Sequence, residues 1–296
     1  MRISRRDCGK LALSALSSAS AFAGANTDYK GVQFGICSYS FRGMGLDVLI
    51  HQMKAVPMGQ LELEAAFVEP DSGGRGQTPD QRLALRNWRL GVGLDEIRSI
   101  RKGLDDAGIE VFAYNIPFND SFTDAEIDRV FLIARLLGAQ ALNSATTLTM
   151  APRLAQFAES HNMRVGLHPT ANASRPDAIG SGESYRKALA ISPYLGACPD
   201  LNGWKTWGPD PPAFLREIAP RITTLHTHDS KPAPPRSVGV PFGQGTNPIR
   251  EVLRLMRAEK FTFVAMLERL WNLPEGGDNL AALRDCLSFC KAALEQ

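Results

Sequence analysis

Glu110–Thr147 reads EVFAYNIPFNDSFTDAEIDRVFLIARLLGAQALNSATT, and this stretch decides the fold. It opens with a β-rich run, Glu110–Phe118, passes into an apolar pattern of helical period from Thr123 to Ala139, and returns to a strand-like run, Gln140–Thr147. Thr123 stands where an N-cap is expected, and Gly138 where a helix ends. Strand, helix and strand in strict succession argue a parallel pair with the helix as crossover.

The alternation extends in both directions. Strand-like runs recur at Val32–Phe41 (VQFGICSYSF), Gln60–Phe67 (QLELEAAF), Met163–Thr170 (MRVGLHPT), Tyr194–Gly203 (YLGACPDLNG), Ile222–Asp229 (ITTLHTHD) and Phe261–Glu268 (FTFVAMLE). Helical periodicity lies between them, as in Leu94–Gly108 and Asn247–Lys260, and a final helix runs from about Leu280 to Leu294. Eight such units over about 265 residues predict an α/β protein, a single (β/α)8 TIM barrel spanning residues 24–296. A doubly wound open sheet is the competing arrangement, weakened because no G-x-G-x-x-G follows the first strand. No linker divides the chain. The longest irregular connection, Val68–Leu90 with its DSGGRG, is expected to form a loop over the active face.

The bulk numbers agree with a folded enzyme-sized chain. Of 296 residues, 44% are hydrophobic and 22% charged, which excludes a disordered or collagen-like polymer. A net charge of +2 without a basic block gives no electrostatic case for nucleic acid. The first 23 residues have the order of an export signal: Arg2, Arg5, Arg6 and Lys10, then a weakly apolar run from Leu11 to Phe22, then Ala21-Phe22-Ala23. Arg5-Arg6 after Ser4, with Lys10 beyond, points to the twin-arginine type and hence a periplasmic location, an ordinary Sec signal being the alternative. The apolar run is too short and too rich in Ser and Ala for a stable membrane span. Loss of residues 1–23 removes those four basic residues and Asp7, leaving a mature net charge of −1. Cys37, Cys198, Cys286 and Cys290 remain, without the spacing of a disulfide framework; the last two, four apart on a helix, are expected in the core.

Strand side chains in a barrel alternate between lumen and helix layer, and chemistry sits at the C-terminal strand ends. With Val165 and Leu167 outward, His168 points inward on the fifth strand; with Leu195 and Ala197 outward, Cys198 and Asp200 point inward on the sixth. With Leu225 outward, Thr224, His226 and His228 share the lumen on the seventh. With Phe263, Ala265 and Leu267 outward, Met266 and Glu268 face inward on the eighth. Each histidine alone fits a hydrogen-bonded core residue. Together, His168, Asp200, His226 and Glu268 on four adjacent strand ends form a donor set for a divalent cation, with charges that balance it.

These residues, with VEP at Val68–Pro70, WRLGVGLDEIRSIRKGLDDAGIEVFAYN at Trp88–Asn115 and GQGTNPIREVLRLMRAEKFTFVAMLE at Gly243–Glu268, resemble the xylose isomerase-like TIM-barrel superfamily. The similarity is to an exported bacterial branch described as sugar phosphate isomerase/epimerase-like, and covers Val32 to the end. It implies a sugar or sugar derivative as substrate and Mn, Co, Zn or Mg as cofactor, held by Glu, Asp, His and Glu on strands five to eight. Asp200, His226 and Glu268 match the last three positions; His168 takes the place of the first glutamate. Other positions depart from the pattern. Gly203 and Thr170 stand where relatives carry histidines, His228 where they carry a lysine, and Phe67 where a polar residue precedes VEP. Glu62 matches the strand-two glutamate and is a candidate substrate contact. The resemblance implies an enediolate reaction with Glu268 moving the proton. His228 is an acid/base candidate, or else only a hydrogen-bond partner of Asp229 or a loop carbonyl. Trp204 and Trp271, with Trp207, are sugar-stacking or lid-packing residues, and Tyr114 and Asn115 are candidates for the pocket wall. An isomerase or epimerase, a lyase eliminating from a keto-sugar or keto-glycoside, and a catalytically degenerate carbohydrate-binding protein remain as readings. A repair nuclease of the endonuclease IV kind needs more histidines than the five present.

Overall fold

Alternation of eight strands with helices is the architecture found in the computed structural model, which describes residues 28–70, 77–170, 175–234 and 236–296. The export signal read over residues 1–23 lies outside the described residues. The barrel strands are β1 (Val32–Cys37), β2 (Gln60–Glu64), β3 (Glu110–Asn115), β4 (Ala141–Ala145), β5 (Arg164–His168), β6 (Leu195–Ala197), β7 (Thr224–Thr227) and β8 (Val264–Leu267). All pair in parallel in the order β6-β5-β4-β3-β2-β1-β8-β7. The seam from β6 to β7 is short. It is made by the bridges Ala197 to Ile222 and Asp200 to His226, and by the His226 N–H donating to the Pro199 carbonyl at 2.9 Å. Pro199 has no N–H to extend that ladder. With the Thr223 N–H donating to the Ala197 carbonyl at 2.8 Å, these contacts run the seam from Ile222 up to His226.

Around the strands lie α1 (Leu46–Lys54), α2 (Pro79–Gly91), α3 (Leu94–Asp106), α4 (Asp124–Leu136), α5 (Ala151–Ser160), α6 (Gly182–Leu189), α7 (Pro211–Ile218), α8 (Ile249–Glu259) and α9 (Asn279–Glu295). Thr123 caps α4 through a reciprocal box with Glu126. Gly108 and Gly138, both at positive φ, follow α3 and α4. The connection Val68–Leu90 departs from its reading as irregular, because α2 fills most of it. Thr78 and Gln81 form a capping box there and Pro79 takes the first helical position. The polar composition of α2 hides it from a search for apolar period.

Strand parity sorts the interior into two layers. Val165, Leu167, Leu195, Ala197, Leu225, Phe263, Ala265 and Leu267 belong to the core between strands and helices. Cys37, Val264 and Met266, with Phe112, make a small separate cluster in the lumen. Gly35 makes room for it: a Cβ there would lie 2.5 Å from the Met266 sulfur. Above this apolar plug the lumen is polar. Among the described residues no helix is long and apolar enough to cross a membrane.

Candidate metal centre

The polar part of the lumen is built upward from Glu62. On β2, Leu61 and Leu63 point into the helix layer, so Glu62 points to the barrel axis, where it is fully buried. One carboxylate oxygen accepts from Asn115 Nδ2 (2.7 Å) and His226 Nε2 (2.8 Å), the other from Asn143 Nδ2 (2.7 Å) and Thr224 Oγ1 (2.8 Å). Burial opposes its charge, but the His226 imidazole and these donors outweigh burial and hold its pKa below the ordinary carboxylate range. Four bonds fill the acceptor capacity of a carboxylate. Glu62 and Asn115, read from sequence as substrate contacts, are thus bound to each other and to the core network.

One layer higher, three imidazoles and two carboxylates converge. His168 Nε2 lies 3.8 Å from Asp200 Oδ2, and His226 Nδ1 lies 3.4 Å from Glu268 Oε2. His228 Nδ1 lies 3.5 Å from Asp200 Oδ1 and 3.6 Å from Glu268 Oε2. All three nitrogens are buried without a hydrogen-bond partner. Their opposite ring edges help define the tautomers. His168 Nδ1 faces the Pro169 carbonyl at 3.1 Å, which can only accept, so the proton sits there and Nε2 keeps its lone pair. His226 donates Nε2–H to Glu62, which aims its Nδ1 lone pair at the cluster. Burial and the neighbouring His226 lower the His168 pKa, keeping that ring neutral. Burial also opposes charge on His226, but Glu62 more than offsets it and raises its pKa well above the ordinary value, so a cation at Nδ1 would bind by displacing a proton. Glu268 is desolvated too, yet the two imidazoles hold it well below the ordinary range and ionised.

An orphaned buried nitrogen is costly, and three aimed at two carboxylates call for a shared partner. A divalent cation fits. His168, Asp200 and His226 offer donor atoms within 4.8 Å of one another, as do Asp200, His228 and Glu268, so Asp200 belongs to both groups. Two carboxylates balance the 2+ charge, and a carboxylate behind a ligating imidazole is a recurrent supporting arrangement at metal sites. His228, read as a proton carrier or a partner of Asp229, presents Nδ1 as a fifth donor. Asp229 is engaged elsewhere: its carboxylate accepts from the backbone N–H groups of Ser230, Gly243, Gly245 and Asn247, fastening the loop after β7. A Cβ on Gly245 would lie 2.1 Å from Asp229 Oδ1, so this loop requires glycine.

The other candidates fall outside the cluster. Trp204 packs against Trp207 with centroids 5.1 Å apart, and Trp271 against Phe242 at 6.5 Å; Trp207 is fully buried core. Tyr114 turns into the helix layer rather than the pocket wall, because a register shift between β2 and β3 changes the alternation of β3. Thr170 pins the loop after β5, its hydroxyl accepting from Ile179 N–H at 2.6 Å and donating to Ile179 O at 3.1 Å. Asn143, buried on β4, and Glu64, on the inward parity of β2, are site residues that sequence reading missed. The alternation LELE carried the signal for Glu64: if Glu62 faces the axis, so does the residue two on. A cavity of about 520 Å³ opens at the opposite, N-terminal end of the barrel near Phe112, Arg164 and Tyr194. None of its lining side chains is a buried, unpartnered polar group, so the chemistry is placed at the C-terminal end.

A family model described as xylose isomerase-like TIM barrel matches residues 76–290. No curated protein matches the sequence. Among solved structures, the chain is similar to a probable 3-DHS dehydratase, AsbF, involved in petrobactin synthesis in Bacillus anthracis. That pair has a TM-score of 0.61 and 16% identity, over 89% of this chain and 98% of that one. It is also similar to YcjR, a 3-keto-D-glucoside 4-epimerase of E. coli, with a TM-score of 0.62 and 12% identity over 88% of this chain and 99% of that one. The third is the IolI protein with a bound zinc atom, with a TM-score of 0.63 and 14% identity over 88% and 97%. At these identities the likeness establishes the fold.

Proposed function

The chain belongs to the xylose isomerase-like TIM-barrel family, and from that premise we propose a divalent-metal-dependent sugar isomerase or epimerase, acting through an enediolate at the C-terminal face of the barrel. The observation that carries this reading is the convergence of three unpartnered imidazole nitrogens on Asp200 and Glu268. His168, Asp200, His226 and Glu268 would hold the ion, with His228 as fifth donor. When bound, the ion supplies Lewis-acid polarisation of a carbonyl and its neighbouring hydroxyl. A zinc atom in IolI and the sugar epimerase YcjR among its structural neighbours support a cation and a sugar, respectively.

Glu268 is the base of this scheme. Its Oε2 faces both imidazoles, whereas Oε1 has only the Cys37 thiol, at 4.0 Å. Ionised and half engaged, it can take a proton from a substrate carbon. His168 is poorly placed to act as a second acid/base: Nδ1 is committed to the Pro169 carbonyl and Nε2 faces Asp200. That favours one-sided chemistry. Aldose–ketose isomerisation needs one base moving a proton between adjacent carbons. A lyase eliminating a β-substituent from a keto-sugar uses the same base, and the dehydratase AsbF among the neighbours keeps that second reading in play. His228 can carry protons only through Nε2 while Nδ1 serves as a ligand.

The deciding experiment incubates purified, metal-analysed protein with a panel of aldo-, keto- and 3-keto-sugars in D2O. Deuterium appears at the carbon next to the carbonyl, with isomer or eliminated product; no uptake and no turnover at any metal loading reduces the protein to a binder. Export by the twin-arginine route is proposed with it, from Arg5-Arg6. Processed protein persisting when only that route is blocked refutes it.

A further inference from the structure

We propose that the cavity of about 520 Å³ at the N-terminal end of the barrel binds a small oxyanion, a phosphate or carboxylate group, through the Arg164 guanidinium. The site is separate from the metal centre and independent of the reaction proposed above. On β5 the lumen-facing positions run Arg164, Gly166, His168, so the strand that ends in a candidate metal ligand begins with a cation. Phe112, Pro193 and Ile222 give the cavity an apolar wall. Arg164, Asn162 and Tyr194 give it a polar one, and among the described residues no aspartate or glutamate lines it. Gly196, inward on β6, leaves room for the arginine stem: a Cβ there would lie 3.0 Å from Arg164 Cδ and 2.6 Å from the Arg221 carbonyl oxygen.

The central observation is that Arg164 lacks an acid. Its one hydrogen bond goes to the Pro220 carbonyl, at 3.4 Å, and among the described residues no carboxylate pairs with it. Exposure alone does not explain this. Arg186 of α6 and Arg216 of α7 are exposed as well, yet each holds a glutamate at 2.7 to 2.8 Å. Arg221 adds a second cation beside the first. Its Nη2 donates to the carbonyls of Ser192 and Leu195, and its Nε is buried without a partner. Burial lowers the Arg221 pKa and Arg164 lowers it further, as expected of two cations with no carboxylate between them.

An oxyanion on Arg164 relieves that repulsion and meets a planar fork of donors suited to two oxygens at once. Asn162 supplies a neutral donor. It is held at φ 47°, a left-handed conformation that asparagine tolerates. Its Oδ1 accepts from Tyr194 OH at 3.0 Å, and among the described residues nothing accepts from its Nδ2. The apolar wall opposite fits the carbon body of an organic phosphate or carboxylate.

Isothermal titration calorimetry of the full chain with inorganic phosphate and, separately, with succinate tests the site and tells the two anion classes apart. One saturable site per chain is expected, weakening as salt is raised. Arg164→Gln should weaken binding by about 10–100-fold. Arg164→Lys keeps the charge without the fork; its affinity should fall between the two, and it covers the case in which the Gln variant fails to fold. His226→Ala, which damages the metal centre, should bind the anion as the wild type does. Failure of both anions to bind saturably, or equal affinity in the wild-type and both Arg164 variants, overturns the site. Binding lost in His226→Ala and kept in the Arg164 variants puts the anion at the metal centre and overturns it as well. Each of these results leaves the isomerase reading to its own test.

Discussion

Two buried charged clusters in this protein have similar ingredients and opposite states of satisfaction. Outside the barrel, Arg89 of α2 holds both oxygens of Glu69 at 2.7 Å and reaches Glu126 of α4 at 3.3 Å. Arg86 adds a bond to Glu126 at 2.8 Å, and the Arg89 guanidinium lies over the Phe122 ring. Inside the barrel mouth, His168, His226 and His228 each leave a nitrogen without a partner, although two carboxylates stand within 4 Å. The first cluster locks α2 to α4. The second is the one that we propose a cation completes. Buried charge therefore marks architecture when every atom is paired, and a binding site when the unpaired atoms share a centre.

Substitutions can break this comparison from either side. The largest effect is expected for Glu268→Gln. Deuterium uptake and turnover should fall by about 10³-fold, with an unchanged circular dichroism spectrum. Next comes Arg89→Leu, which removes the guanidinium that holds Glu69. With Glu126 still held by Arg86 and Glu69 alone left uncompensated, it should cost about 3–5 kcal/mol of stability in urea unfolding and leave metal stoichiometry per folded chain unaltered. Loss of metal here would mean that the clusters are not independent. Glu62→Gln tests the support behind His226. With every proposed ligand retained, metal affinity should fall by about 10–100-fold in a competition titration with a chelating dye. The smallest effects belong to the aromatic rim. Trp204→Ala and Trp271→Ala should raise KM by about 2–10-fold and leave kcat alone.

Much of this was legible in the sequence because the physics is periodic. The β-α alternation requires a parallel sheet, and period-two parity places His168, Asp200, His226, His228 and Glu268 on one side of four strands without any distance being known. The same rule applied to LELE reaches Glu64. What escapes is what breaks the period or depends on partners. A register shift on β3 turns Tyr114 outward. The polar helix α2 announces itself only through the Thr78–Gln81 box. Parity brings Glu62 to the axis but does not tell that Asn115, Asn143, Thr224 and His226 fill its acceptors. Nor does it tell which edge of each imidazole is left free, since that depends on the Pro169 carbonyl and on Glu62.

The central claim, one divalent ion held by His168, Asp200, His226, His228 and Glu268, is tested most directly by titrating metal-stripped protein with Co2+ and following the visible ligand-field bands. The account predicts saturation at one ion per chain, loss of that binding in His226→Ala, and a changed band pattern with weaker binding in His228→Ala. Absence of saturable binding, or identical titrations for the wild-type and His226→Ala proteins, would contradict it.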